Sequence, residues 1–205
     1  MAIKINPNES EAYFVRGMLY ATSGDNTMAF NDFSKTIELD ANHAEAYSNR
    51  ANMYLKMGEM QKAADDCTKA IVISPDNAEP YYNRGLAYMN MNEAVKSLED
   101  YNKVIELVSS SEPIYVESLA KRGFIHSGLG NLQEATSDYE KFLELDPNNA
   151  NARLVRGALS KLKGGKMVIG FVQIIMIVGA IIGGTIGGYF GAEFGRELIE
   201  IVGGV

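Results

Sequence analysis

A block of 34 residues, Ala44–Asn77, recurs along the chain at a fixed spacing, and no other feature restricts the fold so tightly. A period of this size belongs to stacked supersecondary units, each too small to bury its own apolar face, rather than to one globular core. Within the block Tyr47, Ala51 and Tyr54 form one apolar stripe, and Ala63, Cys67, Ala70 and Ile71 form a second. Both stripes have the α-helical period, so the spacing predicts two amphipathic helices. Gly58 between them suits the left-handed conformation that ends a first helix, and Pro75 closes the second.

The succession of aromatic Tyr47, small Ala51, Tyr54, turn Gly58, Ala63, Ala70 and Pro75 resembles the tetratricopeptide repeat. That resemblance implies an all-α fold, a tetratricopeptide-repeat solenoid of four helical hairpins plus a capping helix. Four repeats are expected at 10–43, 44–77, 78–111 and 116–149, with the capping helix at 150–165. Residues 1–9 read as the tail of a partial upstream repeat, because Ile3, Ile5 and Pro7 match Ile71, Ile73 and Pro75. The first repeat keeps Tyr13, Gly17, Tyr20, Gly24 and Phe33, and the fourth keeps Gly123, Gly130, Tyr139 and Pro147. In the third, Asn92 stands at the turn, where asparagine best replaces glycine. The inserted Glu112–Tyr115 is expected to add a turn at the start of the next helix, with Glu112-Pro113 as its beginning.

After Lys166 the composition changes. Met167–Ala192 carries no charge, and 26 residues of helix span about 39 Å, enough to cross a hydrocarbon core of ~30 Å. Residues 167–192 are therefore expected to form a hydrophobic, glycine-rich transmembrane helix, followed by a tail at 193–205; a buried hairpin of a larger protein is the alternative. Gly179, Gly183, Gly187, Gly191 and Gly195 stand at intervals of four and resemble a glycine zipper, a groove for close helix packing in a homo-oligomer or against another helix. Arg153, Arg156, Lys161, Lys163 and Lys166 precede the span while Glu193, Arg196, Glu197 and Glu200 follow it, which places the repeats on the cytosolic side. The 19 basic against 26 acidic residues, net −7, are too sparse in Lys and Arg for a nucleic-acid surface. The single cysteine, Cys67, forms no internal disulfide and fits a reducing compartment. Met1–Ser10 holds no apolar run of the kind a secretory signal needs.

The resemblance also implies a peptide-binding groove on the concave face of the first helices. The corresponding positions are Phe14 and Met18, then Ser48, Asn49, Asn52 and Lys56, then Tyr82, Asn83, Leu86 and Asn90, then Lys121. Asn52, Asn83 and Lys121 fall where co-chaperone members of the family clamp the terminal carboxylates of heat-shock chaperone tails. Ser48 and Glu117 occupy two places where that clamp needs lysines, so the clamp is incomplete. Glu11, Glu45, Glu79 and Glu117 recur at the second position of each first helix and are read as first-turn charges favoured by the helix dipole. His43 and His126 have no partner at metal-ligand spacing, and no phosphate loop, nucleophile elbow or dinucleotide fingerprint occurs. No metal, cofactor or catalytic residue is therefore expected. The resulting expectation is a non-enzymatic, membrane-anchored scaffold or docking adaptor for partner peptides. A membrane oligomer or pore-like assembly driven by the glycine zipper is the alternative, and an enzyme with its catalytic domain outside these residues is a third for which nothing speaks.

The period also exposes a charge ladder. Arg16, Arg50, Arg84, Arg122 and Arg156 share one register position, and Asp32, Asp66, Asp100 and Asp138 share another. Because Arg156 has no aspartate in its own half-repeat, the expected pairs run between consecutive repeats: Arg50 to Asp32, Arg84 to Asp66 and Arg156 to Asp138.

Overall fold

The computed structural model describes residues 9–164, which form nine α-helices and no strand. Two compact units divide at Val108–Ser109. The first holds three hairpins: α1 (Ser10–Ser23) with α2 (Asn26–Leu39), α3 (Ala44–Met57) with α4 (Met60–Ile73), and α5 (Ala78–Asn90) with α6 (Ala94–Leu107). The second holds α7 (Pro113–Gly128) and α8 (Leu132–Leu145) as a hairpin, with α9 (Ala152–Lys163) against α8. Residues 1–8 and 165–205 lie outside this description, and with them the partial upstream repeat, the span 167–192 and all five glycines of the zipper. Among the described residues, no helix is long and apolar enough to cross a membrane.

The hairpins turn where the chain supplies a residue tolerant of positive φ. Gly24, Gly58 and Gly130 have φ of 84°, 78° and 80°, and Asn92 takes their place with φ 61°. At Gly58 the turn closes through Gly58 N–H to the Leu55 carbonyl (3.1 Å) and Glu59 N–H to the Tyr54 carbonyl (2.9 Å), which satisfies carbonyls that the helix end leaves over. The helix starts are capped by different chemistries. The Asp25 carboxylate accepts from Met28 N–H at 3.2 Å, the Asn77 carbonyl from Glu79 N–H at 3.1 Å, and the His43 ring Nδ1 from Ala46 N–H at 3.3 Å. Glu112 precedes α7, whose first position is Pro113, and α7 has 16 residues where α3 has 14.

The interior of each hairpin is set by one small and one facing side chain. A Cβ on Gly17 would lie 2.8 Å from Phe33 Cε1, and on Gly123 2.9 Å from Tyr139 Cε1; on Gly85 it would lie 3.2 Å from Tyr101 Cζ. Phe33, Tyr101 and Tyr139 are buried, so glycine is what lets these rings lie against the first helix. The second hairpin solves the same contact with the opposite division of volume. Ala51 keeps its methyl and the facing residue is Cys67, both fully buried in one cluster with Leu55, Ala63 and Ala87. Burial pushes the Cys67 thiol far above its ordinary range, which leaves it unreactive packing material.

The charge ladder closes within each hairpin, not between repeats. Arg16 Nε and Nη2 donate to Asp32 at 2.6 Å each, Arg50 to Asp66 at 2.7 and 2.8 Å, Arg84 to Asp100 at 2.9 and 2.7 Å, and Arg122 to Asp138 at 2.8 and 2.6 Å. These are paired bidentate bonds to carboxylates buried in the hairpin interior. The expected pairs Arg50 to Asp32, Arg84 to Asp66 and Arg156 to Asp138 are therefore corrected. Arg156 instead donates from Nη2 to the Pro147 carbonyl at 2.6 Å. What reaches the preceding hairpin is the remaining nitrogen, from Arg50 Nη1 to Ser34 Oγ at 3.4 Å and from Arg84 Nη1 to Thr68 Oγ1 at 3.2 Å. In the first three hairpins the guanidinium also lies between two tyrosines of its own helix. Arg50 is 5.8 Å from the Tyr47 and Tyr54 rings, and Arg84 is 5.7 and 5.8 Å from Tyr81 and Tyr88.

Candidate functional site

Residues one turn apart on a helix share a face, so the face of α3 that carries Glu45 also carries Ser48 and Asn52, and that of α5 carries Glu79, Asn83 and Leu86. The two helices lie beside each other in the first unit. Leu86 packs on the buried cluster around Ala51 and Ala87, and Tyr82 stands edge-on to Tyr101 with centroids 5.8 Å apart. Asn52 is half-buried beside them. Asn83 is only 4% exposed and its Nδ2 has no hydrogen-bond partner; Ser48, at 1%, leaves its Oγ in the same condition. A buried donor without an acceptor costs free energy, of order 1–3 kcal/mol.

The remaining groove positions divide. Phe14 is a half-buried wall residue, 5.9 Å from the Phe33 ring and 4.5 Å from the His43 ring, whereas Met18 is exposed. Asn49 and Asn90 turn their amides back onto their own helices, donating to the Glu45 carbonyl at 2.9 Å and the Leu86 carbonyl at 2.8 Å. Lys56 is exposed at the far end of α3. Lys121 belongs to the second unit, on α7, where burial lowers its pKa and the neighbouring Glu117 opposes that shift. Also in that unit, a cleft of about 390 Å³ lies between the start of α7 and the end of α8, lined by Pro113, Val116, Leu145 and Asn149.

The glutamates differ from one another. Glu11, Glu45 and Glu79 occupy first turns. Glu117 does not: the added residues start α7 at Pro113, so Glu117 sits in the second turn and its reading as a first-turn charge is corrected. His43, unremarkable in the sequence, joins two of these groups. Its ring is largely buried, with Nε2 3.4 Å from a Glu11 oxygen and Nδ1 3.5 Å from a Glu45 oxygen. Since Nδ1 accepts the Ala46 N–H, the neutral ring carries its proton on Nε2 and donates to Glu11. Partial loss of hydration, and then the nearby Glu45 carboxylate, raise the Glu79 carboxyl above its ordinary value. Among the described residues no cluster of His, Cys, Asp and Glu is arranged to hold a metal ion.

Among solved structures, the chain is similar to a crystal structure of MamA, 29% identical, covering 71% of this chain and 83% of that one with a TM-score of 0.64. It shares the fold of YrrB, described as a TPR protein with an unusual peptide-binding site, at 21% identity, 88% and 89% coverage and a TM-score of 0.67. It also shares the fold of the first TPR of Spaghetti (RPAP3) bound to the HSP90 peptide SRMEEVD, at 22% identity, 63% and 99% coverage and a TM-score of 0.56. No curated protein matches. Family models described as tetratricopeptide repeat match residues 10–43, 44–77, 78–107 and 116–149, and the chain belongs to the tetratricopeptide repeat family.

Proposed function

We propose that this protein is a non-enzymatic adaptor that docks an extended peptide segment of a partner protein on the face of α3 and α5. The observation that carries the reading is the row of half-buried Asn52, Tyr82 and Leu86 on the adjoining helices α3 and α5. A peptide backbone offers acceptors for an amide donor at each residue, and apolar and aromatic walls accept its side chains. Two proteins of the same fold support it, one described as having a peptide-binding site and one bound to a chaperone peptide. Phe14 and Met18 would extend the face along α1, Asn49, Lys56 and Asn90 would form its rim, and Lys121 would bind peptide within the second unit by itself.

In the same reading, residues 167–192 hold the adaptor at a membrane with the repeats facing the cytosol. Support comes from the 26 uncharged residues and the basic residues that precede them. The glycine register from Gly179 to Gly195 favours a second reading, in which that helix also drives homo-oligomerisation. One preparation tests both parts. In membranes from expressing cells, the full-length chain should resist carbonate extraction, and after detergent solubilisation Asn52→Ala should weaken peptide capture about 3- to 10-fold with unchanged helix content. Full release by carbonate removes the anchor, and capture that ignores Asn52→Ala and Tyr82→Ala together removes the docking face.

A further inference from the structure

α1 leaves uncovered a face that α3, α5 and α9 bury. Ala12, Val15 and Leu19 form one stripe along it, with Val15 49% and Leu19 56% exposed, and Gly17 is the one buried residue of the helix. Thr22 continues the stripe, which therefore holds no charge. The outermost helix of a repeat array ordinarily shows a polar outer face, because nothing stacks on it. Large apolar side chains grouped within one turn are instead the mark of a contact surface.

The period identifies what fits there. In α3 the positions of Ala12 and Leu19 are held by Ala46 and Met53, both buried, and Met53 shares a cluster with Ala29 and Phe33 of α2. In α5 they are held by Pro80 and Ala87, again buried, and Ala87 shares a cluster with Ala63, Ala64 and Cys67 of α4. α9 repeats the stripe of α1 side chain for side chain, as Ala152, Val155 and Leu159; there Ala152 and Val155 are buried and α8 lies against the helix. The covering element is each time a helix with an alanine and, four residues on, a larger side chain: Ala29 and Phe33, Ala63 and Cys67, Ala135 and Tyr139, all buried. Alanine lets the two backbones approach, and the valine and leucine of the stripe fill the space that remains. The chain's own Ile3 and Ile5 do not answer to that contact. They stand in register with Ile71 and Ile73 in the last turn of α4, whereas Ala87 meets side chains from its first two turns.

We propose that the Ala12, Val15 and Leu19 face docks an amphipathic α-helix of a partner protein that carries alanine and, four residues later, an aromatic side chain, seated as α2 is on α3 and α8 on α9. This face is separate from the row of Asn52, Tyr82 and Leu86, and it takes a helix where that row takes extended chain.

The test uses the full-length chain in detergent and a fluorescent peptide with the α8 sequence, residues 132–145, read by anisotropy. A hydrocarbon staple between Gln133 and Ser137, both exposed in α8, holds the peptide helical. Binding should saturate, and Val15→Glu or Leu19→Glu should each weaken it about 10-fold with unchanged helix content, because either puts a charge into the apolar contact. Ala135→Arg in the peptide should do the same, while Tyr82→Ala in the chain should change nothing. No binding, or binding indifferent to both Val15→Glu and Leu19→Glu, overturns the proposal. Binding that appears only after Ile3→Ser with Ile5→Ser puts the chain's own first residues on the face, and a detergent-solubilised oligomer that Leu19→Glu splits into monomers puts a second copy there; either result also overturns it.

Discussion

Replacing Cys67 by tyrosine gives the second hairpin the residue that Tyr101 and Tyr139 supply to the third and fourth. Those rings have glycine opposite them, and a Cβ there would stand 3.2 and 2.9 Å from the ring. The second hairpin has Ala51 in that place, with its methyl already buried against Cys67. Cys67→Tyr alone should therefore overpack the hairpin and cost about 1–3 kcal/mol. Ala51→Gly alone loses helix propensity and a buried methyl, about 1–2 kcal/mol in sum. Combined, the two changes rebuild the glycine and tyrosine pair of the third hairpin, and the double variant should lie within about 1 kcal/mol of the parent, a favourable coupling of roughly 1.5–3 kcal/mol. Urea melts of the detergent-solubilised full-length chain, followed by far-ultraviolet circular dichroism and compared at constant m, measure each corner of the cycle. Effects that add to within about 0.5 kcal/mol would refute the idea that these two positions trade volume.

Two further outcomes follow from the buried charges. Asp66→Ala strands Arg50 between Tyr47 and Tyr54, and should destabilise by about 2 kcal/mol in urea melts, more than the double replacement Arg50→Ala with Asp66→Ala. Lys121, whose folded pKa lies below 10.5, releases its proton more readily when folded than when unfolded, so the chain should gain stability as pH rises from neutral towards 10.5. Lys121→Met should raise the neutral-pH urea midpoint and flatten that alkaline rise; an unchanged slope would show that another group causes it.

Local backbone demands were legible in the sequence, because a hairpin turn at positive φ accepts few residues: Gly58 and Asn92 could be read one residue at a time. The extra turn of α7 was legible for a similar reason, since proline suits the first turn of a helix and not its interior. The arginine partners were not. Asp66 is 16 residues after Arg50 and 18 before Arg84, and a periodic sequence offers both distances equally. What decides is the hairpin's second helix in front of the arginine, a relation that exists only once two helices pack. Asn83 looked like an open groove residue and is buried, which no single-position reading contains. Glu117 looked equivalent to Glu45 and Glu79 until the insertion moved the helix start away from it.

The closure of each arginine and aspartate bond inside one hairpin bears on how such a chain lengthens and shortens over time. Arg16, Arg50, Arg84 and Arg122 all find their carboxylate 16 residues ahead, within the same unit. Duplication or loss of a whole unit by recombination then adds or removes a complete ion pair, and no buried charge is orphaned at the junction. The link to the preceding unit is a hydroxyl, Ser34 or Thr68, whose loss water can replace at a solvated edge. Had the bonds run between units, every such event would have left one carboxylate and one guanidinium unmatched. The half-unit at α9 illustrates the tolerance: Arg156 has no aspartate of its own and settles on a backbone carbonyl at the surface.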